Sequence, residues 1–96
     1  MSEANLKDLK IPQEGELLGR VLKLSGGDHV IVKSTDGITR MCRIRGKMKR
    51  RMWIRESDIV LIGPWDFDDR RADILWRYIK GHAEWLVENK YFPTEL

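Results

Sequence analysis

The sequence predicts an all-β protein, a small barrel of five strands followed by one short helix. Five β-branched or alternating apolar stretches recur roughly every 8–12 residues, which is the spacing of strands in barrels and sandwiches. Gly, Ser and Asp separate these stretches and are typical of turns. The 96 residues suffice for one domain, and 42% hydrophobic with 34% charged residues suits a soluble folded protein.

The domain organisation follows from the N-terminal composition. Residues 1–13 have no periodicity, so we expect a flexible N-terminal tail that Ile11-Pro12 ends, since proline holds its predecessor extended. The barrel is expected over residues 14–79, and a C-terminal helix and tail over residues 80–96. The polar N-terminus predicts no signal peptide, and no apolar run approaches the roughly 20 residues that span a bilayer.

The first two strands are predicted over residues 16–24 and 29–33, with a turn at residues 25–28. Gly19 lies inside the first strand, where glycine usually marks a bend or bulge. A bent strand can serve two sheets at once. A second turn at residues 34–37 contains Asp-Gly, a strong hairpin signal.

The third strand is predicted over residues 38–45, and its side chains alternate between two faces. One face carries Arg40, Cys42 and Ile44, and we expect it to point toward the interior because Cys42 is interpreted as a small buried hydrophobic residue. The outward face carries Thr39, Met41, Arg43 and Arg45. A basic connection is expected over residues 46–57.

The fourth strand is predicted over residues 58–62, which are apolar on both faces. Gly63-Pro64 and the acidic residues 66–69 indicate a turn, with Trp65 interpreted as a packing residue. The fifth strand is expected over residues 72–79, and its inward side chains are predicted to be Ala72, Ile74, Trp76 and Tyr78.

A short helix is expected over residues 82–89, with Trp85 docking it onto the barrel. A bent first strand and a long segment between strands three and four fit a five-stranded OB-fold barrel, whose strand 2–3 face commonly binds nucleic acid. The strand pattern by itself also allows an SH3-like barrel.

The net charge of +3 conceals a strong segregation of charge. Eight bases and no acid lie between Arg40 and Arg55. Removing these eight from the chain's 18 Lys and Arg leaves ten bases against 15 Asp and Glu, a balance of −5. A local +8 segment attracts phosphates far better than a scattered +3, so we interpret it as an anion-binding surface.

The candidate RNA-binding residues all come from this segment. They are Arg40, Arg43, Arg45, Lys47, Lys49, Arg50, Arg51, Trp53 and Arg55. Arg43 and Arg45 are two residues apart on the outward face, about 6.6 Å along the strand, which suits two contacts to one sugar-phosphate strand. Met48 and Met52 could face the barrel from a single helical turn. Trp53 could stack on a base or close the barrel mouth.

No catalytic, metal or cofactor motif is found in the sequence. His29 and His82 lack metal-ligand spacing, and Ser57 has no histidine near it in the sequence. The turn at residues 25–27 lacks the lysine pattern of a nucleotide-phosphate loop. Cys42, the only cysteine, excludes an internal disulfide and is compatible with a reducing compartment. We therefore expect a non-enzymatic, cytoplasmic, monomeric protein without cofactors.

Two runs of the sequence resemble the translation initiation factor 1A family. The first run is MCRIRGKMKRRMWI at residues 41–54, followed by SDI at residues 57–59. The second is RADILWRY at residues 71–78, which is similar to the family's last strand. The match covers about residues 14–90.

The resemblance implies an OB-fold factor in the A site of the small ribosomal subunit. There it would contact rRNA of the decoding region, promote initiator tRNA binding and start-codon selection, and work beside other initiation factors. Carried onto this sequence, the rRNA contacts fall on Arg43, Arg45, Lys47, Lys49, Arg50, Arg51 and Trp53, with Arg40 and Arg55 at the edges.

The chain looks more like archaeal members than eukaryotic ones, because it lacks their long basic N-terminal and acidic C-terminal tails. The family's tail-mediated contact with the subunit-joining GTPase is therefore left open for this chain. Two alternatives stay open. One is a general single-stranded RNA-binding protein such as an RNA chaperone, and the other is a protein-interaction module. No membrane partner is expected.

Overall fold

The computed structural model describes residues 9–46 and 54–93. The elements are β1 (Leu17–Leu24), β2 (His29–Ser34), β3 (Thr39–Ile44), β4 (Ile59–Trp65), β5 (Asp68–Arg77) and α1 (Lys80–Glu88). Their hydrogen-bonded order is β1-β2-β3-β5-β4, and β4 pairs back onto β1 to close the barrel. The prediction of a five-stranded OB-fold barrel with a short C-terminal helix is confirmed.

Strand β1 belongs to two ladders, as the sequence predicted for its glycine-bearing segment. Gly19 pairs with Ser34 of β2 on one side and with Val60 of β4 on the other. The register shift lies between Val21 and Lys23 rather than at Gly19. Gly19 is required for a different reason, because a Cβ there would clash with Val32 Cγ1 and lie 2.9 Å from the Lys33 carbonyl oxygen.

The hairpin between β2 and β3 forms at the predicted Asp-Gly turn. Gly37 adopts φ +90°, a conformation that side-chain-bearing residues rarely take. Its amide donates to the Ser34 carbonyl at 2.9 Å, and the Ser34 amide donates to the Ile38 carbonyl at 3.0 Å. The turn thereby sets the register in which Val32 pairs with Arg40.

The predicted turn at Gly63-Pro64 is wrong. Strand β4 continues to Trp65 and β5 already begins at Asp68, so the turn has only two residues, Asp66 and Phe67. Proline is tolerated here because the β1–β4 ladder stops at Ile62, so no strand on that side needs its missing amide proton. The bounds of β5 and α1 also differ from the predicted ones. Strand β5 ends at Arg77 instead of residue 79, and Ile79 is the N-cap of α1, which was predicted to begin at residue 82.

The core has two layers. The barrel interior is filled by Val21, Val30, Val32, Cys42, Ile54, Val60, Ile62, Ala72 and Ile74. The second layer lies between the barrel wall, the N-terminal segment, α1 and the C-terminal turn, and its buried members are Leu18, Ile59, Leu61, Tyr78, Leu86 and Phe92. Trp85 packs against this second layer, as expected for a residue that docks the helix.

The end of β5 and the N-terminal segment differ from their predictions. A register shift between Leu61 and Ile62 interrupts the alternation of β5, so Trp76 is half-buried in the second layer instead of inside the barrel. The prediction of a flexible tail is wrong for residues 9–13. Leu9 and Ile11 pack on the second layer, and the Tyr78 hydroxyl donates to the Lys10 carbonyl at 2.5 Å. Residues 1–8 lie outside the described ranges.

Among the described residues, no helix has the length and apolarity needed to cross a membrane.

Gly19→Ala is expected to lower the free energy of unfolding by about 1–3 kcal/mol, because its Cβ has no room between β1 and β2. Urea unfolding followed by circular dichroism measures the change. Gly46→Ala is the matched control, since a Cβ at Gly46 meets nothing within 4 Å. Equal stabilities of the two variants would contradict the claim that the close approach of β1 and β2 requires glycine at position 19.

Stability is expected to fall as the pH rises above about 9. Burial raises the pKa of the Cys42 thiol from 9.0 to about 12, although the charge of Arg40 opposes the shift, and burial also raises the pKa of Tyr78. The unfolded chain therefore releases protons at a pH where the folded chain retains them, which favours unfolding. Urea unfolding at pH 8 and 10.5 tests this, and Cys42→Ala should show a smaller decline. An unchanged or higher stability at pH 10.5 would refute it.

Candidate nucleic-acid interface

The structure describes four of the nine residues that the sequence predicts to bind RNA: Arg40, Arg43, Arg45 and Arg55. The other five, Lys47, Lys49, Arg50, Arg51 and Trp53, lie outside the described ranges, as does the predicted turn with Met48 and Met52. We call residues 45–55 the basic segment. Both of its ends are attached to the barrel interior, because Ile44 packs on the core there and Ile54 is 8% exposed within it.

Three exposed arginines flank residues 47–53 in the chain. Arg43 is on the outer face of β3 and is 51% exposed. Arg45 follows the end of β3 and is also exposed. Arg55 is exposed on the return, where its backbone amide donates to Asp58 Oδ2 at 2.8 Å. These side chains are accessible to a polyanion.

Arg40 differs from the other candidates, and the expectation that it contacts RNA is corrected. Its side chain is only 4% exposed, since it shares the inner face of β3 with Cys42. Nη1 and Nη2 donate to the two carboxylate oxygens of Asp36 at 3.0 and 2.9 Å, and Nε donates to the Asp69 carbonyl at 2.6 Å. The guanidinium is therefore occupied within the protein, joining the β2–β3 turn to the start of β5.

The bidentate pair also affects its acidic partner. The hydrogen bonds from Arg40 hold the pKa of Asp36 below its usual value, although partial burial opposes the shift. Asp36 thus remains ionised at neutral pH and compensates one of the eight charges counted between Arg40 and Arg55. Among the described bases of that stretch, Arg43, Arg45 and Arg55 are the exposed ones.

An aromatic cluster that the sequence analysis did not assign to the site lies beside Arg43. The Trp65 indole nitrogen donates to Asp73 Oδ1 at 3.3 Å, and Arg43 Nε lies 3.5 Å from the same oxygen. The guanidinium carbons of Arg43 and Arg71 lie 6.0 and 5.7 Å from the Trp65 ring centroid. Phe67, at the hairpin tip, has its ring centroid 5.8 Å from that of Trp65.

The register of the barrel produces this cluster. Strands β3 and β5 pair in parallel and place Arg43 opposite Asp73, which in turn pairs with Gly63 of β4. Because β4 and β5 continue past the barrel as a hairpin, Trp65 and Phe67 extend beside the same edge. The residues line a shallow cleft of about 370 Å³ between Arg43, Asp73 and the hairpin. No local signal in the sequence indicates this cluster, because only the β3–β5 register brings Arg43 beside the β4–β5 hairpin.

None of the four described candidate residues lines the cavity between α1 and the barrel. This cavity has a volume of about 560 Å³, with Arg20, Tyr78 and Val87 in its wall. Within residues 9–46 and 54–93, no group of three or more His, Cys, Asp or Glu side chains is arranged to hold a metal ion.

Comparisons with known proteins agree on one family. The model of the family described as translation initiation factor 1A / IF-1 matches residues 6–96. Translation initiation factor 1A of Methanopyrus kandleri is 48% identical over 86 residues, covering 90% of this chain and 78% of the relative. That of Archaeoglobus fulgidus is 42% identical over 92 residues, covering 94% and 95% of the two chains.

A solved structure shows the same similarity. The solution structure of translation initiation factor IF-1 from the Wolbachia endosymbiont strain TRS of Brugia malayi aligns with a TM-score of 0.53 at 25% identity. The alignment covers 85% of this chain and 97% of that one.

Arg40→Gln is expected to lower the free energy of unfolding by about 1.5–3 kcal/mol, because it leaves Asp36 and the Asp69 carbonyl without a charged donor. Arg43→Gln, at an exposed position on the same strand, should change it by less than about 0.5 kcal/mol. Urea unfolding at pH 7 measures both. If Arg40→Gln is as stable as Arg43→Gln, the internal role of Arg40 is wrong.

Proposed function

Because the chain belongs to the translation initiation factor 1A family, we propose that it binds the small ribosomal subunit at the A site through rRNA of the decoding region. In this position it promotes initiator tRNA binding and start-codon selection, as a cytoplasmic monomer acting beside other initiation factors. The proposed rRNA contacts are Arg43, Arg45, Lys47, Lys49, Arg50, Arg51, Trp53 and Arg55. Arg40 is left out because its guanidinium is engaged inside the protein.

One observation carries the proposal: a run of bases without acids that continues from the exposed edge of β3. Arg43 and Arg45 precede it on the barrel, and Arg55 follows it. With Arg40 paired to Asp36, seven positive charges remain between residues 43 and 55. Such a concentration neutralises phosphates and releases their condensed counterions, so the affinity depends on salt.

The charge distribution also supports a defined rather than an indiscriminate contact. Outside residues 43–55 the chain has 11 bases and 15 acids, a balance of −4, so the excess of positive charge is confined to this stretch. Asp66, Asp68 and Asp69 lie on or beside the β4–β5 turn and repel phosphates there. A docked rRNA strand would therefore follow the basic segment and the outer face of β3.

Reversing three charges of the basic segment is expected to abolish this docking. Lys49→Glu, Arg50→Glu and Arg51→Glu together should weaken binding to archaeal small subunits by about tenfold or more at 100 mM KCl. The slope of log K against log [KCl] should fall by roughly 0.9 for each phosphate that the variant no longer neutralises. Filter binding or sedimentation over a KCl series measures both values.

The matched control reverses three exposed lysines elsewhere, Lys23, Lys80 and Lys90, and so produces the same net charge. It should retain most of the affinity. If the basic-segment variant keeps its melting temperature and binds as the unaltered chain does, the basic segment is not the docking surface. If the two triple variants lose affinity equally, net charge rather than a local site governs binding.

The alternative of a general single-stranded RNA binder is separated by competition. The proposal expects an unrelated oligoribonucleotide to displace the protein from subunits only in large molar excess. It also expects chemical protection of subunit rRNA confined to the decoding region. Equal affinity for arbitrary oligonucleotides would favour the alternative, and protection elsewhere would refute the A site.

A further inference from the structure

The tip of the β4–β5 hairpin exposes a large aromatic ring. The Phe67 side chain is 86% exposed, more than any other large hydrophobic residue among those the structure describes. Its neighbours in the sequence are the polar Asp66, in the turn, and Asp68, at the start of β5. Phe67 contributes little to the core from this position, so its apolar area is available to a ligand.

Several contacts fix the indole ring of Trp65, which lies next to Phe67. Trp65 is half-buried, its indole nitrogen is bound to Asp73, and the guanidinium groups of Arg43 and Arg71 lie near its ring. The Phe67 ring meets it at an interplanar angle of 43°. At a centroid distance of 5.8 Å, the two rings are too close to admit a base between them. The accessible aromatic surface of the cluster is therefore the outer face of Phe67.

We propose that Phe67, supported by Trp65, is a stacking platform for one unstacked base of the bound rRNA. This inference rests on the proposed function and adds a base contact to it. Exposed aromatic faces flanked by guanidinium planes suit splayed RNA bases, which stack on both. Arg43 and Phe67 line the same cleft, so a strand held by Arg43 through a phosphate presents a neighbouring base to the hairpin.

The charges around the hairpin favour a base over a phosphate. Arg43 and Arg71 face the carboxylates of Asp73 and Asp68 at 3.5 and 3.9 Å, and Asp66 adds a further negative charge to the same cleft. A phosphate gains little in such a field, whereas stacking of a neutral base does not require net positive charge. A stacking contact also releases no counterions. It should therefore contribute the same factor to the affinity at every salt concentration.

The binding test uses the full chain and archaeal small subunits over a KCl series. Phe67→Ala should weaken binding by about 5- to 150-fold, the range of one base stacked on an aromatic ring, with an unchanged salt slope. Phe67→Trp, which keeps a flat ring, should bind like the unaltered chain, and Phe67→Leu should behave like the alanine variant. Arg43→Gln should instead reduce the slope by about 1.

A spectroscopic test observes the ring itself. The chain has two phenylalanines, and Phe92 is buried at 1% exposure, so 4-fluorophenylalanine labelling gives one reporter and one internal control. Titration with an oligoriboadenylate should shift the fluorine signal of Phe67 upfield through the ring current of adenine and leave that of Phe92 unchanged. An oligomer of abasic ribose phosphates should shift neither signal.

The possible outcomes distinguish a failure of the stacking role of Phe67 from a failure of the proposed function. If the unaltered chain binds subunits and Phe67→Ala binds equally well, the stacking role is refuted and the proposed function stands. The role is also refuted if Phe67→Ala leaves rRNA binding intact and instead abolishes contact with a protein on the subunit. If the unaltered chain does not bind subunits, the proposed function and the stacking role both fall.

Discussion

The parallel pairing of β3 with β5 is the constraint on which the rest of the molecule depends. It joins the β1–β2–β3 strands to the β4–β5 hairpin, and the other pairings in the barrel are antiparallel. It also sets four residue pairs, among them Cys42 with Ala72 in the core and Arg43 with Asp73 on the surface. The same pairing therefore seals the hydrophobic interior and brings an exposed arginine beside the β4–β5 hairpin. A shift of one residue would exchange the two faces.

The two-residue alternation of β3 puts Arg40 and Arg43 on opposite faces, and Arg45 follows the end of the strand. Arg40 faces inward and fixes the β2–β3 turn against the start of β5 through Asp36 and the Asp69 carbonyl. Arg43 faces outward and Arg45 follows at the exposed end, where a phosphate can reach them. The inward arginine stabilises the strand that leads to the proposed contacts Arg43 and Arg45. Loss of Arg40 would thus affect binding through the fold rather than through a direct contact.

The sequence predicted most of the strands because their signals are local: β-branched runs, the Asp-Gly turn and two-residue alternation. It also placed Cys42 inside and Arg43 outside correctly. Its errors came from long-range pairing. Gly63-Pro64 has the composition of a turn, but the β1–β4 ladder ends before it, so proline fits in β4. Trp65 and Phe67 could be joined to Arg43 only through the β3–β5 register, which no local pattern reveals.

The central claim is that the outer face of β3 and the basic segment face decoding-region rRNA, and directed hydroxyl-radical probing tests it most directly. Iron chelates attached at Thr39→Cys, exposed on β3, and at Glu84→Cys, exposed on α1, provide reporters on two different elements. Burial and a raised pKa keep Cys42 unmodified. We predict strong cleavage of decoding-region rRNA from position 39 and little from position 84. Stronger decoding-region cleavage from position 84, or cleavage from position 39 confined to other rRNA, would contradict the account.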